Sequence, residues 1–146
     1  MSGRSRIDLE RGEIALACGL VVGPHLDEAA LLDARPPGLA PHVHNGAYRS
    51  YRLAELPIAD RTFVPVLFFH DGAAMETQLH AVDPEMTGWD NYSEERTVEL
   101  KRRNDSLLET LAGQCPPLRF AWGKADSWFD PRSGSAAISL TYDGAA

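Results

Sequence analysis

The chain has 146 residues, 44% of them hydrophobic and 24% charged, with a formal net charge of -7. Such a composition excludes a disordered chain, and the length suits about one domain that can bury roughly two-thirds of its unfolded surface without disulfide or metal support. The negative charge argues against nucleic acid, because phosphate neutralisation needs a basic face; a macromolecular partner of so acidic a body is expected to present a basic surface.

Cys18 and Cys115 stand far apart and read as reduced core residues rather than a disulfide. The opening MSGRSRIDLERG carries Arg4, Arg6 and Arg11 with no apolar run behind them, and the apolar stretch Ile14 to Val22 is short and broken by Cys18 and Gly19. Neither is a signal segment or a membrane span, so the expected location is the cytoplasm. Lys101 and Lys124 are the only lysines against many arginines, a codon-level sign of a GC-rich bacterial genome.

In chain order, EIALACGLVVG predicts one strand, or two short ones broken at Gly19. A short helix follows over about 27–34. Asp27 is its N-cap, Leu26 and Leu31 have hydrophobic-staple spacing, and Pro36-Pro37 stop it. PPGLAPHVHNG reads as a loop of turn formers, and Ala47 to Leu53 as a strand. Asp71-Gly72 is a strong two-residue turn signal for a hairpin over FVPVLFFHDGAAMETQLHAV. Its regular register pairs Phe68 with Met75, Val66 with Thr77 and Val64 with Leu79. Leu67 and Phe69 then fall on a second face that needs a cover, for which the short helix is the candidate; left uncovered, they mark a partner or dimer surface. Pro65 has no amide donor and predicts a late start, a bulge or an edge.

SEERTVELKRRNDSLLETLAG predicts a long helix over about 93–112, from Ser93 as cap to Gly113 as stop. Thr97, Leu100, Asn104, Leu107, Leu108 and Leu111 fall on the side that lies on a sheet. Near the C-terminus, Ala136, Ile138, Leu140 and Tyr142 alternate with smaller or polar residues as a half-buried strand. Phe120, Trp122 and Trp128 share a parity in the strand before it, with Asp126 between them, and DPRSG supplies the turn. Together these elements predict a single α+β domain over 1–146: a single-layer antiparallel sheet of about five to seven strands with both helices packed on it.

Signatures of catalysis are missing. There is no metal-spaced cysteine pair, no phosphate-binding glycine loop and no nucleophile elbow. His42 and His44, with His25, His70 or His80, form only a weak metal hint, so neither metal nor cofactor is expected. Asn104 is the odd residue of the long helix's apolar face. A buried amide there either ties the helix to a neighbouring strand or loop, or lines a pocket with Trp122 or Trp128. Asp126 is oddly placed for a core strand, and Trp89, Tyr92, Trp122 and Trp128 are core residues or interface anchors.

Three functions compete. The favoured one is a non-enzymatic interaction module; bacterial immunity and antitoxin proteins of this size are often acidic single domains with basic partners, an analogy of type that no motif carries. The others are a small-molecule-binding or hydrolytic enzyme using Asn104, Trp122 and Asp126, and a ligand-free homodimer.

Overall fold

A computed structural model describes residues 6–58, 61–82, 94–130 and 135–143. The chain begins with β1 (Arg6–Asp8), β2 (Glu13–Ala15) and β3 (Val21–Val22), which form a small antiparallel sheet in that order. The apolar run 14–22 is therefore two short strands. They part at a turn where Gly19 has φ 98°, a conformation that favours glycine. Cys18 and Cys115 are both free and exposed, which corrects the expected core placement: one lies in this turn, the other just beyond the long helix.

Helix α1 (Glu28–Ala34) starts where Asp27 accepts a hydrogen bond from the Ala30 amide at 2.7 Å, and the staple residue Leu31 is fully buried. Strand β4 (Ala40–Asn45) then occupies most of the segment read as a loop. All six of its residues are exposed, so no hydrophobic periodicity marks it; its backbone groups find partners only through β5 (Tyr48–Arg52).

The central strands are β6 (Leu56–Ile58), β7 (Arg61–His70) and β8 (Ala73–Ala81). Asp71 and Gly72 form the expected turn with φ of 50° and 82°. Phe69 pairs with Ala74 as a two-residue loop demands, but an irregularity follows and Phe68 pairs with Glu76 instead of Met75. A β-bulge of this kind shifts every later pair by one residue. Leu67 therefore meets Thr77 and Pro65 meets Leu79, and Leu67 and Phe69 turn into the core, 2% and 1% exposed.

Pro65 is in mid-sheet, neither at an edge nor in the bulge. Its carbonyl accepts from the Leu53 amide, and in an antiparallel strand a residue's N–H and C=O point the same way. The missing donor thus faces the gap at residues 53–55, where β5 gives way to β6.

Helix α2 (Glu94–Ala112) ends where the Gly113 amide bonds the Glu109 carbonyl at 2.8 Å. Leu100, Asn104, Leu107 and Leu108 are buried, whereas Leu111 is 41% exposed. The segment before the last strand is a tight hairpin rather than one strand: β9 (Leu118–Phe120) turns at Ala121-Trp122 into β10 (Gly123–Asp130). A Cβ on Gly123 would lie 1.9 Å from the Thr141 carbonyl oxygen, so glycine is required there. β11 (Ser135–Tyr142) pairs along the whole of β10 and then with β8.

The result is an α+β architecture whose large sheet has eight antiparallel strands, in the order β4-β5-β7-β8-β11-β10-β9, with β6 also on β7. Its first face carries Phe63, Leu67, Phe69, Leu79, Ile138 and Leu140. These join Leu31 of α1, Leu108 of α2, Ile14 and Val22 of the small sheet and Leu9 of the turn after β1 in one hydrophobic cluster.

Candidate interaction face and the Asn104 groove

Because successive strand residues point to opposite faces, the same register defines the second face. β8 contributes Glu76, Gln78 and His80; β11 contributes Ala137, Ser139 and Thr141; β10 contributes Lys124, Asp126 and Trp128. β5 and β7 add Tyr48, Arg52 and Phe68. No described helix packs on this side. Its side chains hold one another in place. The Trp128 indole donates to the Ser139 hydroxyl at 2.6 Å and meets the His80 ring edge-on at a centroid distance of 6.0 Å. Gln78 donates to Glu76 at 2.8 Å, and its carbonyl oxygen lies 3.0 Å from His80 Nε2.

Burial, and after it the neighbouring His42, hold the His80 imidazole below the ordinary histidine value, against a smaller upward pull from Glu76. Asp126 accepts the backbone amide of Ser127 at 2.8 Å, a local bond that leaves the carboxylate on the surface side. On this face Tyr48 is 55% exposed, and Val43, paired with Ser50, is 53% exposed.

Asn104 is elsewhere, under α2 and completely buried. Its Oδ1 accepts from Arg61 Nη1 at 2.6 Å, while Nδ2 has no partner. The amide's orientation follows from chemistry, since an arginine only donates. An orphaned buried donor costs about 1–3 kcal/mol, so this residue is not optimal for stability. Arg61 sits over the Phe63 ring at 5.0 Å and, with α2, lines a groove of about 510 Å³.

Trp122 belongs to neither place. Its ring stacks on Phe120 at 5.3 Å and meets Tyr142 edge-on at 5.8 Å, inside the core cluster. The structure thus groups Asp126 with Trp128, and separates both from Asn104, from Trp122 and from buried Leu67 and Phe69. Trp89 and Tyr92 lie outside the described residues. The regular register sets Gln78 and Glu76 on one face with Pro65, Leu67 and Phe69; the bulge instead places His80, Gln78 and Glu76 opposite Val64, Val66 and Phe68 and leaves Leu67 and Phe69 in the core. The parity break between Ala74 and the series Thr77, Leu79, Ala81 is the sequence signal for it.

Among the described residues, no group of three or more His, Cys, Asp or Glu is arranged to hold a metal ion. His44 instead packs on the Tyr51 ring at 5.2 Å. No described helix is long and apolar enough to cross a membrane.

No protein-family model matches the sequence, and no curated protein does. A solved structure does match in fold: a chain of the complex "Rhs1-CT in complex with cognate immunity protein RhsI1" superposes with a TM-score of 0.58 at 14% identity, covering 97% of this chain and 89% of that one. At that identity the likeness is one of fold.

Proposed function

We propose that the protein is a single-domain, cytoplasmic, non-enzymatic interaction module of the immunity-protein type, which binds one protein partner through the second face of its large sheet. The observation that carries this reading is the concentration of Trp128, His80, Gln78 and Asp126 on a face that no described helix covers. Tryptophan anchors set among hydrogen-bonding side chains are the composition of binding hot spots. Two further observations support it. The fold neighbour comes from a complex whose two components bind each other, and a net charge of -7 steers association with a basic partner.

The test is co-purification from host lysate with substitutions that leave the core alone. Gln78→Arg and Thr141→Arg add a bulky cation to the second face, and Leu32→Arg does the same on α1, where Leu32 is 41% exposed. The reading expects one stoichiometric partner, lost with the two face variants and kept with Leu32→Arg. Retention by the face variants, or the absence of any stoichiometric partner, counts against it.

A further inference from the structure

Asn45 ends β4 and is followed directly by Gly46, the first residue of the two-residue loop to β5, and both are exposed. We propose that Asn45 is a site of spontaneous chemical modification, where the side-chain amide is lost through a succinimide to give aspartate and isoaspartate.

The reaction needs a main-chain nitrogen that can reach a carboxamide carbon. Gly46 N gives up its proton to hydroxide and attacks Asn45 Cγ. The Cγ–Nδ2 bond breaks, ammonia leaves, and a five-membered imide closes. Water then opens the ring at either carbonyl, which restores the main chain as aspartate or routes it through the side chain as isoaspartate.

Three observations place this chemistry at Asn45. Among the described residues, neither its carboxamide nor the Gly46 N–H has a hydrogen-bond partner. A side chain on the attacking residue would shield its nitrogen, but Gly46 has none, and no atom lies within 4 Å of the position its Cβ would take. The loop can also open locally. Among the described strands β4 pairs with β5 alone, and all six of its residues are exposed. A segment with so few buried contacts opens far more readily than the core. Opening supplies the main-chain rotation, absent from an extended strand, that carries the nitrogen onto Cγ.

Two other places show the contrast. Asn104 is completely buried in α2, where the next amide belongs to the helical hydrogen-bond ladder. Asp71-Gly72 has the same following residue, but a carboxylate is a poorer electrophile than a carboxamide. That turn is also tied on two sides: the Asp71 amide donates to the Ala47 carbonyl at 3.0 Å, and the Gly72 carbonyl accepts from the Glu28 amide at 2.9 Å.

Asn45 pairs with Tyr48, whose ring packs on that of His70 at 4.4 Å. Modification sets a new carboxylate at this corner of the second face, and isoaspartate adds a methylene to the main chain beside a very short loop.

The experiment keeps the folded full chain in mildly alkaline buffer made with heavy-oxygen water, then digests it with trypsin in ordinary water. Mass spectrometry compares the peptide ending at Arg49 with the peptide beginning at Asn104, and protein-isoaspartyl methyltransferase reports isoaspartate. Heavy oxygen should enter at Asn45 at least about tenfold faster than at Asn104, with methylation in the same peptide. Asn45→Gln should take up no label there, and Gly46→Ala should convert at least about tenfold more slowly than the wild type. The assignment is overturned if Asn45 converts only in the urea-unfolded chain, if Asn104 converts as fast, or if Gly46→Ala converts at the wild-type rate.

Discussion

Trp122 and Leu9 stand 113 positions apart, yet the indole Nε1–H donates to the Leu9 carbonyl at 2.7 Å in a buried hydrogen bond. This bond joins the small N-terminal sheet to the start of β10. The contact depends on Gly12, whose φ is 68° and whose missing Cβ would lie 2.5 Å from the indole ring. Gly12→Ala therefore combines a left-handed backbone with overpacking, and should cost about 2–4 kcal/mol. Urea unfolding followed by Trp fluorescence reads the loss as a lower midpoint; an unchanged midpoint would mean that the small sheet contributes little to the core.

Tyr142 offers a test of the core's polar interior. Its hydroxyl lies 2.7 Å from that of Thr77, and burial, the largest influence, pushes its pKa up to about 12 from an ordinary 10.0. The unfolded chain then releases this proton first as pH rises. The stabilisation is complete below pH 10.0 and is lost as pH climbs toward about 12. A two-unit difference corresponds to at most about 3 kcal/mol. Tyr51, raised by burial and by its hydrogen bond to Glu28, contributes in the same direction. Tyr142→Phe should flatten part of the alkaline decline in stability while lowering the neutral-pH midpoint through loss of the Thr77 contact.

Asn104→Leu tests how the buried amide of α2 contributes to stability. It removes the unpartnered Nδ2 and also one acceptor of Arg61. Removing the orphaned donor is favourable, while the half-buried Arg61 loses an acceptor that water partly replaces, so the unfolding free energy should shift by no more than about 1 kcal/mol in either direction. A loss of several kcal/mol would show that the Arg61–Asn104 bond is a principal fastening between α2 and β7.

The elements with strong local chemistry were legible in the sequence. Asp27, Asp71-Gly72, Gly113 and the alternation from Ala136 to Tyr142 each carry their own cap, turn or periodicity, and the helices, the main turn and the last strand stand where those residues put them. Three features escaped because their causes are not local. The bulge opposite Phe68 inserts one residue after a perfect turn, and so reassigns faces without altering composition. β4 has no buried side at all. Pro65 is tolerated in mid-sheet because strand β5 stops short of it, a fact about a different part of the chain. The same bulge takes Leu67 and Phe69 into the core and sets Val66 and Phe68 opposite Gln78 and Glu76 on the mixed outer face. Asn104 stood out as a buried amide on an apolar face, but its partner Arg61, 43 residues away, had no local mark.

The second face should respond to mild acid through His80. Its pKa lies below the ordinary 6.5, chiefly through burial and then through His42; the folded protein thus favours the neutral imidazole. As pH falls the unfolded chain takes up this proton first. Stability is full above the ordinary histidine value and declines as pH drops through the lower folded value. Protonation sets a cation beside His42 under the Trp128 ring edge, while Glu76 partly compensates. Urea midpoints measured from about pH 7.5 to about pH 5 should therefore fall more steeply for the wild type than for His80→Gln, which keeps a hydrogen-bonding side chain next to Gln78 but cannot titrate. Parallel curves for the two proteins would show that the second face tolerates charge at this position, and that His80 is solvated well enough to take its proton without loss.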